Sequence, residues 1–176
     1  VRMAADGAVY EWWQIGSQAH RQDAPAVRVW YADGTPKVER WAYLDCLWRP
    51  DGPAYQEWAP SGQLTARMWA TTPAMLPFSG GPDGLHRDDG PAHEGWHLNG
   101  MPSCADWYRR GALHNDNGPA AQRWGEGGAL TCEIWARDGR THRVGGPARM
   151  HSRYGFVRRE WWEDGRLLRV EKRPIE

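Results

Sequence analysis

The usual core-forming side chains are scarce in this chain: Leu, Ile, Val and Phe together number 23 of 176 residues. So few would ordinarily point to disorder, but disorder also needs a strong charge imbalance, and Lys+Arg and Asp+Glu are 22 each. Long apolar runs are missing too. No stretch approaches the roughly 18 consecutive apolar residues of a spanning helix, and VRMAADGAVYEWW at the start lacks the apolar core and cleavage pattern of a signal peptide. Cysteine is limited to Cys46, Cys104 and Cys132, an odd number without metal-ligand spacing. With no export signal and no disulfide framework, a cytoplasmic protein is expected. Charge of one sign does not dominate: residues 1–136 carry a net −5 and residues 137–176 a net +5. A basic face for nucleic acid is therefore not expected.

What replaces the aliphatics is aromatic, with thirteen Trp and six Tyr, each able to bury roughly 150–250 Å². They are not scattered. Pro25, Pro53, Pro91, Pro119 and Pro147 are spaced by 28, 38, 28 and 28 residues. Trp30, Trp58, Trp96 and Trp124 each follow a Pro-Ala by the same interval, then a Gly at 34, 62, 100 and 128, then Trp41, Trp69, Trp107 and Trp135. Three registers held together define an internal repeat. Units fall near 25–52, 53–90, 91–118 and 119–146, with degraded copies at 1–24 and 147–176, all within one repeat domain. The long interval carries an insertion within residues 70–85, ATTPAMLPFSGGPDGL, read as a bulging loop containing Phe78.

Each unit reads as β. Segments such as VRVWYA and KVERWAY are short, β-branched or aromatic, and separated by Asp-Gly or Asn-Gly, both of which accept positive φ in hairpin turns. Gly-Pro at the other end opposes helix. The expected fold is all-β: an elongated antiparallel meander of about five 28-residue hairpin repeats.

The run Asp106-Trp107-Tyr108-Arg109-Arg110-Gly111-Ala112-Leu113-His114 resembles the Trp, Gly and His core of MORN repeats. The extended form Gly84-Leu85-His86-Arg87-Asp88-Asp89-Gly90-Pro91-Ala92 is similar to the MORN-variant repeats of bacterial, phage and giant-virus proteins. Trp48 stands where His is expected and Ala24 where Gly is expected. The resemblance implies stacked hairpins that act as scaffolds contacting proteins or lipid head groups, and in some bacterial relatives an antitoxin role.

Histidine recurs at one repeat position, as His20, His86, His114 and His142. Equivalent positions in successive two-strand units lie about 10 Å apart, too far for a shared ion. These rings are therefore expected to brace the neighbouring Asp-Gly-Pro turns. His93 and His97 break the repeat, as do Trp48 and Phe78, and these four are the candidate binding residues. Along one strand His93 and His97 would be about 13–14 Å apart, so no metal is expected, nor any cofactor. The tryptophan columns are expected to form the core, or, on an exposed face, a ladder for cell-wall glycan or lipid head groups. Nothing matches a nucleophile elbow, a zinc-protease helix or a phosphate loop. The reading is a non-enzymatic module that binds another protein, with antitoxin, immunity or phage-related roles as its specific form and end-to-end self-association as a further expectation.

Overall fold

The computed structural model describes residues 2–3, 7–71 and 84–175. Among them there is no helix. Thirteen strands form one antiparallel sheet in a meander. In chain order these are β1 (Arg2–Met3), β2 (Val9–Trp12), β5 (Val27–Trp30), β6 (Pro36–Arg40), β9 (Tyr55–Trp58), β10 (Leu64–Met68), β11 (His93–Trp96), β12 (Pro102–Asp106), β15 (Ala121–Trp124), β16 (Leu130–Ile134), β19 (Arg149–Arg153), β20 (Phe156–Glu163) and β21 (Arg166–Pro174). Four further hairpins of two-residue strands branch from one side: β3–β4 (Gln14–Ile15, Gln18–Ala19), β7–β8 (Ala42–Tyr43, Cys46–Leu47), β13–β14 (Tyr108–Arg109, Ala112–Leu113) and β17–β18 (Ala136–Arg137, Arg140–Thr141).

The sequence pattern does not predict these short hairpins, whose two-residue strands carry no periodicity. Their tips are tight. Leu44 and Asp45 both take positive φ, as do Arg110 with Gly111 and Asp138 with Gly139, the signature of a two-residue type I′ turn. The long hairpins turn differently from the expected form. At Asp33-Gly34 and Asn99-Gly100 the glycine alone has positive φ, 87° and 82°. The Asp33 and Asn99 side chains instead accept the amides of Thr35 and Met101, at 2.9 and 3.0 Å. The ladder slips by one residue beside each of these turns, between Val29 and Trp30 and between Gly95 and Trp96, as a longer loop with a glycine bulge requires.

Successive pieces are joined by a recurring bond. The amides of Trp13, Trp41, Trp69, Trp107 and Trp135 donate to the carbonyls of Ala26, Ala54, Ala92, Ala120 and Ala148, at 2.7–2.9 Å. All five alanines are 0% exposed. The buried cluster around them in the middle of the chain is Leu47, Ala54, Ala70, Leu85 and Ala92, with Trp41, Tyr55, Met68 and Tyr108 packed against it. The expected indole core is thereby corrected. Of the eight repeat tryptophans Trp69 is buried, at 8% exposed, and the other seven are half-buried. Chains passing at backbone hydrogen-bonding distance leave room for a methyl group and not for an indole.

The insertion grows from the same stem. The His86 amide donates to the Trp69 carbonyl at 3.0 Å, as His114 does to Trp107 and His142 to Trp135. Residues 70–71 and 84–85 thus leave and return at the place where the other units carry a short hairpin. Residues 72–83, and Phe78 with them, lie outside the described residues.

The alanine junctions should resist enlargement. Ala120→Val is expected to lower unfolding free energy by about 1–3 kcal/mol, read as a lower urea midpoint with unchanged slope. A midpoint within error of the wild type would contradict close packing at this junction.

Candidate binding face and a polar cluster in the sheet

Residues directly opposite one another across a ladder point to the same side. The register runs Arg28, Glu39, Gln56, Arg67, Glu94, Ala105, Gln122 and Glu133 across eight strands. Two residues beyond the members on β5, β9, β11 and β15 stand Trp30, Trp58, Trp96 and Trp124. Two beyond those on β6, β10, β12 and β16 stand Trp41, Trp69, Trp107 and Trp135. Alternation therefore places both tryptophan columns on one face, flanking a charged and polar row. Arg67 spans them, its guanidinium 4.8 Å from the Trp69 ring and 5.1 Å from that of Trp96, while it pairs with Glu94 at 2.8 Å. Trp135 donates its indole N–H to Glu133 at 2.5 Å. In the doubled pairs, Trp13 and Trp161 fall in line with the second column. Their neighbours Trp12, which is 60% exposed, and Trp162 point to the opposite side.

The Arg of the His-Arg-x-Asp-Gly-Pro-Ala motif closes over the second column. Arg21, Arg49, Arg87 and Arg143 lie 4.0, 4.2, 4.1 and 3.8 Å from the rings of Trp13, Trp41, Trp69 and Trp135, a cation–π arrangement. Three of these guanidinium groups also donate to the motif's Pro carbonyl, at 3.3 Å for Pro53, 3.4 Å for Pro91 and 3.1 Å for Pro147. Arg87 and Arg49 bond the motif's Asp as well. Asn115 substitutes in the fourth turn, donating to the Pro119 carbonyl at 2.9 Å. The motif's glycine eases the arginine's approach: a Cβ at Gly52 or Gly90 would sit 2.8 or 3.0 Å from the Arg49 or Arg87 guanidinium carbon, which would have to shift. Where Ala24 replaces it, Arg21 keeps its place over Trp13, but its Nη1 is buried without a hydrogen-bond partner.

The histidine column is structural in geometry, though its partners differ from those expected. His86 and His114 approach Asp88 and Asp116, at 3.3 and 3.0 Å. These are the residues before the turn's central position, whose own side chain, as in Asp89, bonds Arg87. Nδ1 of His114 and of His142 accepts the amide of Asp138 and of Asp164, at 3.0 and 3.2 Å, so each ring ties one unit to the next. The Arg109 guanidinium beside Asp138 holds that carboxyl below its ordinary range. His20 packs on Tyr43, 4.7 Å between ring centres. Trp48, in the histidine position of its unit, meets Tyr43 edge-on at 5.8 Å.

His93 and His97 are not brought together. His97 Nε2 bonds the Trp124 carbonyl at 2.9 Å, a link between units. On the face opposite the tryptophans, His93 stands across the ladder from Asp106, and Gly95 across from Cys104. Its Nδ1 lies 3.0 Å from Asp106 Oδ2 and its Nε2 lies 3.9 Å from Cys104 Sγ. Asp106, 2% exposed, is gripped by Arg123 through Nη1 to Oδ1 at 2.5 Å and Nη2 to Oδ2 at 3.0 Å. The place of Asp106 is held in other units by Arg40, Met68, Ile134 and Glu160. His93, Cys104 and Asp106 present ligand atoms within 4.8 Å of one another, which is the one grouping of metal-ligand type among the described residues. The donor set fits an ion poorly, because both Asp106 oxygens are already engaged and Arg123 places a fixed positive charge beside them. Of this cluster the sequence reading singled out His93. It missed Cys104, Asp106 and Arg123, because their repeat positions vary from unit to unit and only the cross-strand register brings them to His93.

Searches against family models, curated proteins and solved structures find no match.

The bond to Asp106, followed by the contact with Cys104, pushes His93 up from 6.5 to about 9, against the opposing effect of burial. The folded ring holds its proton where the unfolded ring has lost it. Its stabilising contribution is therefore complete below pH 6.5 and disappears as pH rises through about 9. A decline of roughly 2 kcal/mol over that window is expected in urea titrations, and His93→Gln should abolish it. An NMR titration placing His93 at its ordinary value would contradict the arrangement.

Proposed function

We propose that the chain is a MORN-like array of hairpin units whose tryptophan face binds another protein without catalysing a reaction. The observation that carries this reading is the composition of that face. Half-buried Trp columns flank a row of Arg, Glu and Gln, and Trp and Arg are the residues most enriched at the energetic centres of protein interfaces. Recurrence of the Trp amide to Ala carbonyl bond at five places supports the repeat assignment. An antitoxin or immunity protein, working in the cytoplasm by covering a partner's surface, is the specific form that the resemblance favours.

The other reading is a ladder for glycan or lipid head groups, in which a sugar or choline would lie on the indole faces. Four rings of the second column already carry a guanidinium at 3.8–4.2 Å. That contact occupies the surface such a ligand needs, and it disfavours a cationic head group in particular. The protein partner is therefore preferred.

The test places a photo-crosslinking amino acid at Gln56 or Gln122, within the tryptophan face, and at His151, on the opposite face. In extract of the source cells, discrete protein adducts are expected from the first two positions and not from the third. Co-sedimentation with cell-wall glycan or lipid vesicles, without such adducts, would contradict the reading.

A further inference from the structure

We propose that Cys104 is a nucleophilic thiol activated by His93 and Asp106, and that the co-reactant it takes is a peroxide. The arrangement has three parts of an activated nucleophile: the sulfur, an imidazole beside it that holds a proton, and a group that orients the imidazole. Asp106 is fixed from behind by Arg123. It bonds His93 Nδ1 and so turns Nε2 toward Cys104 Sγ, 3.9 Å away. All of this is set by register, since His93 is paired with Asp106 and Gly95 with Cys104. Gly95 makes the room: a Cβ there would lie 2.7 Å from Sγ, so the thiol occupies the space that a side chain would fill. The ring's proton affinity agrees with this role, since His93 is cationic at neutral pH.

The other two cysteines lack this setting. Cys46 is buried, and burial, with Asp45 nearby, pushes its thiol up. Cys132 is half-buried like Cys104, stands opposite His151, and its thiol is also pushed up by burial. The chain therefore carries its own references.

In the proposed step the sulfur attacks as its thiolate on the nearer oxygen of hydrogen peroxide, while His93 Nε2 carries a proton. An S–O bond forms as the O–O bond breaks, and the departing hydroxide takes the Nε2 proton and leaves as water. Sulfur gives up two electrons and becomes the sulfenic acid, while the peroxide is reduced. The cationic ring assists by supplying the proton to the leaving group.

The experiment treats the intact chain with limiting hydrogen peroxide at neutral pH, traps sulfenic acid with dimedone, and quantifies each cysteine peptide by mass spectrometry. Trapping at Cys104 should exceed that at Cys132 by about ten-fold or more. His93→Gln should bring Cys104 down to the Cys132 level while the Cys132 value stays as in the wild type. Equal trapping at Cys104 and Cys132 in the wild type would overturn the proposal, and this comparison needs no variant. So would an advantage at Cys104 that survives His93→Gln.

Discussion

Each Pro-Ala dipeptide is a place where two backbones must come within hydrogen-bonding distance, and that constraint shapes the rest of the molecule. The alanine carbonyl takes the amide of a tryptophan in the preceding hairpin, and the alanine methyl is sealed from solvent. A larger side chain would hold the strands apart, and glycine would leave the space empty. Proline before it forgoes a donor at a position where no strand bond is made. The preceding glycine clears space for the guanidinium, which spans from the proline carbonyl to the indole. Gly, Pro and Ala in that order are thus three answers to one crowding problem, and Arg or Asn closes it with side-chain hydrogen bonds.

A junction made of backbone bonds and methyl groups frees the indoles from serving as an interior. The two repeat columns lie along one side of the sheet, with an arginine over the rings of Trp41, Trp69 and Trp135. The opposite side carries Tyr55 and Met68, which pack against the cluster containing Leu47 and Leu85, and, in the middle, the His93, Asp106 and Arg123 cluster. The two sides thus have different chemistry, broad and aromatic on one, locally charged on the other. Binding by the first and reaction at the second are compatible, because the alternating pleat sends neighbouring side chains to opposite faces.

Much of this was legible in the residues. Fixed spacing of Trp, Gly and Pro marked the units, and glycine dipeptides marked the long hairpin turns. In the doubled tryptophans at 12–13 and 161–162, alternation along the strand sends one member of each pair out of the column. The short hairpins escaped notice because strands of two residues have no periodicity to detect. Alanine gave no hint of being the buried residue, since a small side chain carries little apolar weight. The polar cluster was half visible. His93 stood out as breaking the repeat, but its partnership with Asp106 and Cys104 depends on a cross-strand register, and a bulge beside Gly95 shifts that register. Spacing along one strand, the measure applied to His93 and His97, does not contain that information.

Amide hydrogen exchange tests the junction most directly. If backbone bonds at the Pro-Ala junctions hold the array together, the amides of Trp41, Trp69, Trp107 and Trp135 will belong to the slowest-exchanging class in the chain. Their indoles will remain partly open to acrylamide. Fast exchange at these four amides, together with indoles closed to the quencher, would show that the rings form the interior and that the junctions do not hold the array.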